Sequence, residues 1–266
     1  MTTTKITTPE LLADPPDGMI NAYGSLLKLD PSDALFLGSH DYEVYESKLM
    51  IGLVRPGDVA VDVGAMIGYY TMILGHGVGP KGRVYAFEPD PDNFAILVEN
   101  ASINGYEHVQ PRRAVVGAAS GTTQLHRAPE AYRGDGRAYG VPGNRPSVEV
   151  EMVALDELIA EEVNICKIDV QGYEGHVLAG MRELIARSPQ LVLFLEFTPT
   201  SLELAGTDPA ELLAEFKRFG FVMYEIEEDA HRIRGTEAAS LLERARDANG
   251  AFTDDYSNLL LIKGHR

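Results

Sequence analysis

Two periodicities alternate along most of this 266-residue chain. Short, nearly continuous apolar runs rich in β-branched residues fall at residues 59–63, 83–87, 114–116, 164–168, 191–197 and 221–226. Between most of them, apolar positions recur at helical spacing over 69–74, 92–103, 174–187 and 209–219. Runs apolar on both faces, separated by helices, predict βαβ crossovers and a mostly parallel sheet covered on both sides. The reading is an α/β, Rossmann-like fold with a sheet of seven strands. Pro209 suits a first helical turn, with Asp208 before it as N-cap.

The pattern weakens at three places. Residues 1–57 form a polar lead-in punctuated by Pro and Asp, with a helix around 42–54; the main domain is expected over 58–266. Within it, Gly, Pro and Arg dominate 117–153, where a strand pair (122–126 and 148–153) flanks a loop that reads as an insertion or lid. Residues 228–266 read as a charged connection followed by one strand at 258–263.

Composition narrows the function classes. With 45% hydrophobic and 24% charged residues, the chain has an ordinary globular make-up. Its net charge of −17 opposes nucleic acid and anionic membranes as partners. Arg127, Arg133, Arg137 and Arg145 form the one basic segment, and Glu130 and Asp135 interrupt it. Cys166, the only cysteine, sits in an apolar run and reads as a small buried hydrophobe. Residues 1–12 are Thr-rich without an apolar stretch of signal-peptide length, so a cytoplasmic protein is expected. The sequence leaves a homo-oligomer open.

In an open α/β sheet, ligands sit beyond the carboxyl ends of the strands. Here four of those ends carry acids: Asp62, Glu88, Asp169 and Glu196. Gly64 lets a ligand approach backbone without a Cβ, and Gly68 lets the following helix pack closely and present its N–H groups. Glu88 falls where a carboxylate accepts both ribose hydroxyls of a nucleoside. Asp62 biases the turn towards a cation and against pyrophosphate, which fits the sulfonium and ammonium of S-adenosylmethionine. A nicotinamide-dependent oxidoreductase would instead need G-x-G-x-x-G without the preceding acid. A cofactor-binding partner subunit without catalysis is the alternative outside enzymes.

The stretches Val61-Asp62-Val63-Gly64-Ala65-Met66-Ile67-Gly68-Tyr69-Tyr70-Thr71, Phe87-Glu88-Pro89 and Lys167-Ile168-Asp169-Val170-Gln171-Gly172-Tyr173-Glu174 resemble the FkbM family of methyltransferases. The resemblance runs from Tyr42-Glu43 to Asn258-Leu259-Leu260 and implies a class I methyltransferase fold and S-adenosylmethionine as cofactor. It implies O-methylation of a small-molecule or oligosaccharide acceptor, a sugar or another polar natural product. By position it places Asp62, Gly64, Ala65, Gly68, Glu88 and Asp169 at the cofactor, with Tyr69 and Pro89 beside them and Asn100 and Asn104 behind. Tyr42 and Glu43 read either as a helix start or as a cover over the cofactor. Two positions depart from the family, which usually has Asn at Met66 and Glu at Gln171. Gln171 cannot act as a base, so that role falls elsewhere.

Asp169 and Glu196 are the expected catalytic pair. At the ends of adjacent strands they would share a crevice, where two anions repel. Either one carboxyl has a raised pKa, as suits a base, or a divalent cation such as Mg²⁺ bridges them; Asp169 holding the cofactor ammonium is the structural alternative. In the insertion, Tyr132, Tyr139 and the arginines read as contacts to an acceptor. His126 borders that loop; His176, His231, His40, His76, His108 and His265 read as surface or turn residues.

Overall fold

The run Leu191–Phe197 is buried at every position but Glu196, and its side chains enter two cores in alternation. Leu191, Leu193, Leu195 and Phe197 join one cluster; Val192 and Phe194 join the other. That is the period of two expected of a central strand with both faces covered. The computed structural model describes residues 15–16, 18–29, 42–129, 132–140, 143 and 145–264; Glu130, His40 and His265 lie outside them.

The strands, in chain order, begin with a hairpin of β1 (Met19–Ala22) and β2 (Ser25–Lys28). Then come β3 (Val59–Val63), β4 (Arg83–Phe87), β5 (Val109–Arg112), β6 (Val115–Val116), β7 (Gly121–His126) and β8 (Ser147–Val153). The last five are β9 (Ile165–Ile168), β10 (Leu191–Phe197), β11 (Val222–Glu227), β12 (Arg232–Gly235) and β13 (Ser257–Lys263). The central sheet has the order β12-β11-β13-β10-β9-β3-β4-β5. Strands β5, β4, β3, β9 and β10 pair in parallel, while β13 runs antiparallel between β10 and β11. This is the class I methyltransferase arrangement: the chain winds outward from β3 to β5, returns to β9 and winds the other way. The switch point therefore lies between β3 and β9, where the doubly wound topology opens a crevice.

Several expected boundaries shift. The sheet has eight strands among the described residues, not seven, because β12 adds an exposed edge hairpin to β11. The run at 114–116 is not a central strand: β5 takes that edge, and β6 joins β8 and β7 in a separate three-stranded sheet. The expected helix 174–187 is two helices, Glu174–Ala179 and Arg182–Arg187. The break falls at Gly180 and Met181, where only glycine lets the chain pass Gly117: a Cβ on Gly180 would stand 2.0 Å from the Gly117 carbonyl oxygen. Residues 228–266 hold β12 and a helix, Ala238–Arg244, besides β13. No helix among the described residues is long and apolar enough to cross a membrane.

Candidate functional site

The turn after β3 is shaped by one close approach. Gly64 has φ +86°, and a Cβ on it would stand 1.8 Å from the Asp169 carbonyl oxygen at the end of β9. Only glycine lets these two strand ends meet at the switch point. The Gly64 and Ala65 amides both donate to the Phe87 carbonyl at 3.0 Å, which ties the turn to β4. Gly68, φ +96°, precedes the helix Tyr69–Val78 and packs so tightly that a Cβ would meet Leu97 Cδ1 at 2.7 Å.

Glu88 closes the turn from the side. Its Oε2 accepts from the Met66 amide and its Oε1 from the Asp90 amide, both at 2.8 Å. Burial pushes its carboxyl up to about 7 despite those donors. Met66 holds a left-handed backbone, φ 50°, which Asn adopts more readily than Met. Asp62 is buried, accepts from Thr71 Oγ1 at 2.5 Å, and is pushed up to about 6 by burial. It therefore also anchors the first turn of the helix. Asn100 and Asn104 serve a neighbouring element: Asn104 bonds the Leu26 amide and carbonyl, and Asn100 bonds Lys28. Asn100 reaches the turn as well, donating to the Ile67 carbonyl at 2.8 Å.

Asp169 and Glu196 come together as expected, with a side chain between them. Gln171 Nε2 donates to Asp169 Oδ1 at 3.1 Å and to Glu196 Oε1 at 3.0 Å. Lys167 Nζ lies 3.5 Å from Asp169 Oδ2 and 2.9 Å from Glu46 Oε1, both Lys167 and Glu46 being buried. Burial works against the Lys167 ammonium, but Glu46 and Asp169 overcome it and keep it charged. Burial, then the Asp169 charge, raises the Glu196 carboxyl well above the usual carboxylate range. That shift favours the neutral form of the Glu196 carboxyl. Among the described residues no three His, Cys, Asp or Glu side chains are placed to hold a metal ion.

Two adjoining cavities meet at this wall. One lies against Glu88, Pro89, Asn93, Val116, Leu125 and Tyr173. The other, of about 610 Å³, opens past Ala65 and Tyr69 to Tyr42, Glu43, Asp169, Glu196 and Tyr256. Glu43 accepts from Tyr70 OH at 2.7 Å and from Asn258 Nδ2 at 3.0 Å. Glu228 accepts from the Tyr45 and Glu46 amides at 2.5 and 3.1 Å, capping the helix Val44–Leu53. Tyr42 and Glu43 are accordingly both helix start and cavity wall.

The arginines of the insertion are occupied. Arg127 pairs with Asp90 and Asp92, Arg133 stands 3.9 Å from Asp92, and Arg137 and Arg145 both pair with Asp135. Arg137 and Tyr139 also donate to the Gln171 carbonyl, at 3.1 and 2.8 Å, which ties the insertion to the carboxylate pair. His176 is not a surface residue: it is half-buried, stacks on Tyr173 and bonds the Ala205 carbonyl. The sequence reading missed Lys167, Glu46, Glu228 and Tyr256. Only Lys167 left a signal, a lysine inside an apolar strand that must find a buried acid.

Glu88 lines one cavity, and Asp62, Asp169 and Glu196 line the other. Residues 62–223 match the methyltransferase FkbM domain. The chain belongs to the FkbM methyltransferase family. As such it carries an S-adenosylmethionine-dependent methyltransferase domain. Among FkbM-type relatives, it is 29% identical over 177 residues to the hexuronic acid methyltransferase AglP of Haloferax volcanii, covering 64% of this chain and 67% of that one. It is 30% identical over 162 residues to the 31-O-demethyl-FK506 methyltransferase FkbM of Streptomyces tacrolimicus, covering 49% and 62%. The chain thus spans about two thirds of the length of these relatives. A solved structure of TYW2 from M. jannaschii in complex with AdoMet aligns at 16% identity over 92% of this chain and 84% of that one, with a TM-score of 0.49.

Proposed function

We propose that the protein transfers a methyl group from S-adenosylmethionine to a hydroxyl of a sugar, glycan or other polar natural product. The observation that carries this reading is the Asp169–Gln171–Glu196 wall, which faces a cavity wide enough for a sugar ring and adjoins the Glu88 slot. Two relatives, one named for a hexuronic acid and one for a 31-O-demethyl substrate, support it.

In this reading Glu88 accepts the ribose hydroxyls, Pro89 and Met66 flank them, and the Gly64, Ala65 and Gly68 backbone lets the cofactor lie against β3. Asp62 and Asp169 face the cationic tail, with Tyr69 and Glu43 beside it. The bound cofactor supplies a methyl group on a sulfonium, which leaves as a neutral thioether when the new C–O bond forms. Asp169 takes the acceptor hydroxyl proton. Glu196 stays protonated and shares the Gln171 amide, which holds both carboxyls at fixed separation. Gln171 occupies the space a bridging Mg²⁺ would need, so the pair handles a proton here and no metal step is invoked. Positioning supplies as much as about 7–11 kcal/mol of the barrier reduction, and the base adds about 10²–10⁴ in rate. The insertion reaches the acceptor cavity through Tyr132; Tyr139, expected as a second contact, is buried and anchors the insertion to the Gln171 carbonyl instead.

Two substitutions test the proton assignment. Asp169→Asn is expected to lower kcat about 10²–10⁴-fold. Glu196→Gln, which mimics the protonated acid, is expected to keep most of kcat. Cofactor affinity is measured alongside by calorimetry. Full activity in Asp169→Asn, or a loss in Glu196→Gln equal to that in Asp169→Asn, would contradict the assignment.

A further inference from the structure

The cavity beside the cofactor turn has an unbalanced charge. Among the described residues, Glu43, Asp62, Asp135, Asp169, Glu196 and Glu228 line it, against one cation, Lys167. That lysine is already committed: its ammonium pairs with Glu46 beneath the wall and with Asp169. The insertion's arginines do not line this cavity: Arg137 and Arg145 both pair with Asp135, which leaves one positive charge to set against the other acids, and Arg127 is held by Asp90 and Asp92. Burial and its neighbour's charge raise the Glu196 carboxyl, and burial raises that of Asp62 to about 6. S-adenosylmethionine, with a sulfonium, an ammonium and a carboxylate, adds a single net positive charge. The remaining wall stays anionic around the space left for the acceptor.

Tyrosines complete that space. Tyr42 and Tyr256 stand close enough to Glu43, Asp169 and Glu196 for those charges to raise both phenols further, after burial as the first cause. Tyr256 is 61% exposed, at the cavity mouth. Aromatic faces combined with fixed carboxylates stabilise cations and hydroxyl donors, and they oppose a carboxylate brought to the same place.

We propose that this site selects its acceptor by charge: an acceptor carrying a protonated amine near its hydroxyls is preferred, the neutral counterpart follows, and a uronate is refused. The inference rests on the hydroxyl-methylation reading above and sharpens it. It also sets this chain apart from the relative named for a hexuronic acid, since a carboxylate needs a cation that no described lining residue has to spare.

Three matched glycosides decide the matter, one hexose presented as its 2-amino, neutral and uronate forms. Each is titrated calorimetrically into the S-adenosylhomocysteine-loaded protein and then assayed as methyl acceptor at two salt concentrations. The amino sugar should bind about tenfold or more tightly than the uronate, with the gap shrinking at high salt. Glu228→Gln should narrow it as well. A uronate that binds and is methylated as well as the neutral sugar overturns the charge inference and leaves hydroxyl methylation standing. Failure of all three to bind or to be methylated overturns the sugar reading, and this inference with it.

Discussion

Glu88 accepts from two backbone amides while burial lifts its carboxyl to about 7. Ribose hydroxyls need the ionised form, so binding selects deprotonated Glu88. Affinity for S-adenosylmethionine should therefore rise as pH climbs through about 7 and level off above it. Calorimetry across that range checks this, and Glu88→Gln should bind weakly at every pH. An unchanged pH dependence in that variant would assign the titration to another group. At this scale the strand-end acids were legible, because a charge that closes a buried apolar run is out of place unless it is used. The partners of those acids were not. Lys167 and Glu46 are far apart in the chain and meet only through the fold. Gln171 read as the loss of a base, and the structure shows what it supplies instead: two N–H donors that hold Asp169 and Glu196 apart. Met66 keeps a left-handed φ of 50° without the tolerance of Asn, and its amide rather than its side chain serves Glu88.

Among the elements, β3, β4 and β10 were legible to the residue because their apolar runs are central and covered on both faces. Edge elements carry no such signal. Strand β5 reads Val-Gln-Pro-Arg and β12 is exposed at every position, so neither has an apolar face to betray it. The hairpin β1–β2 was missed for a related reason. It is held to the body partly by side-chain amides, with Asn104 serving the Leu26 backbone and Asn100 that of Lys28. Asn104→Ala leaves the Leu26 N–H and C=O without partners and should cost about 1–3 kcal/mol in urea unfolding. Hydrogen exchange at Leu26 and Lys28 should quicken first. Unchanged stability and exchange would mean that the Asn104 amide is dispensable and that Asn100, Ser25 and the apolar contacts of Ala22 and Leu27 hold the hairpin.

Across the whole molecule, burial sets an unusual pH response. Glu88 and Glu174 are raised to about 7 and Asp62 to about 6, all by burial first. Their unfolded values are near 4.5 and 3.8, so the folded state keeps protons that the unfolded chain releases. That stability is complete below the unfolded values and is lost as pH rises through about 6 to 7. The net charge of −17 acts in the same direction through self-repulsion. The melting temperature should therefore fall by about 5 °C or more between about pH 5.5 and pH 8. A flat or rising profile over that interval would show that these carboxyls are ionised in the fold. Fold class was legible at this scale because strand and helix periods alternate regularly; the acceptor was not, since its cavity is assembled from the lead-in, the insertion and the segment around Tyr256.

In the proposed reaction a methyl group passes to a hydroxyl beside Asp169. S-adenosylmethionine labelled with ¹³C in its methyl group, incubated with the protein and a glycoside panel, tests it by NMR of the products. The expected product is a labelled methyl ether on a sugar oxygen, formed one for one with S-adenosylhomocysteine and lost in Asp169→Asn. A label delivered to nitrogen or carbon, or cofactor bound with no transfer to any hydroxyl, would contradict it.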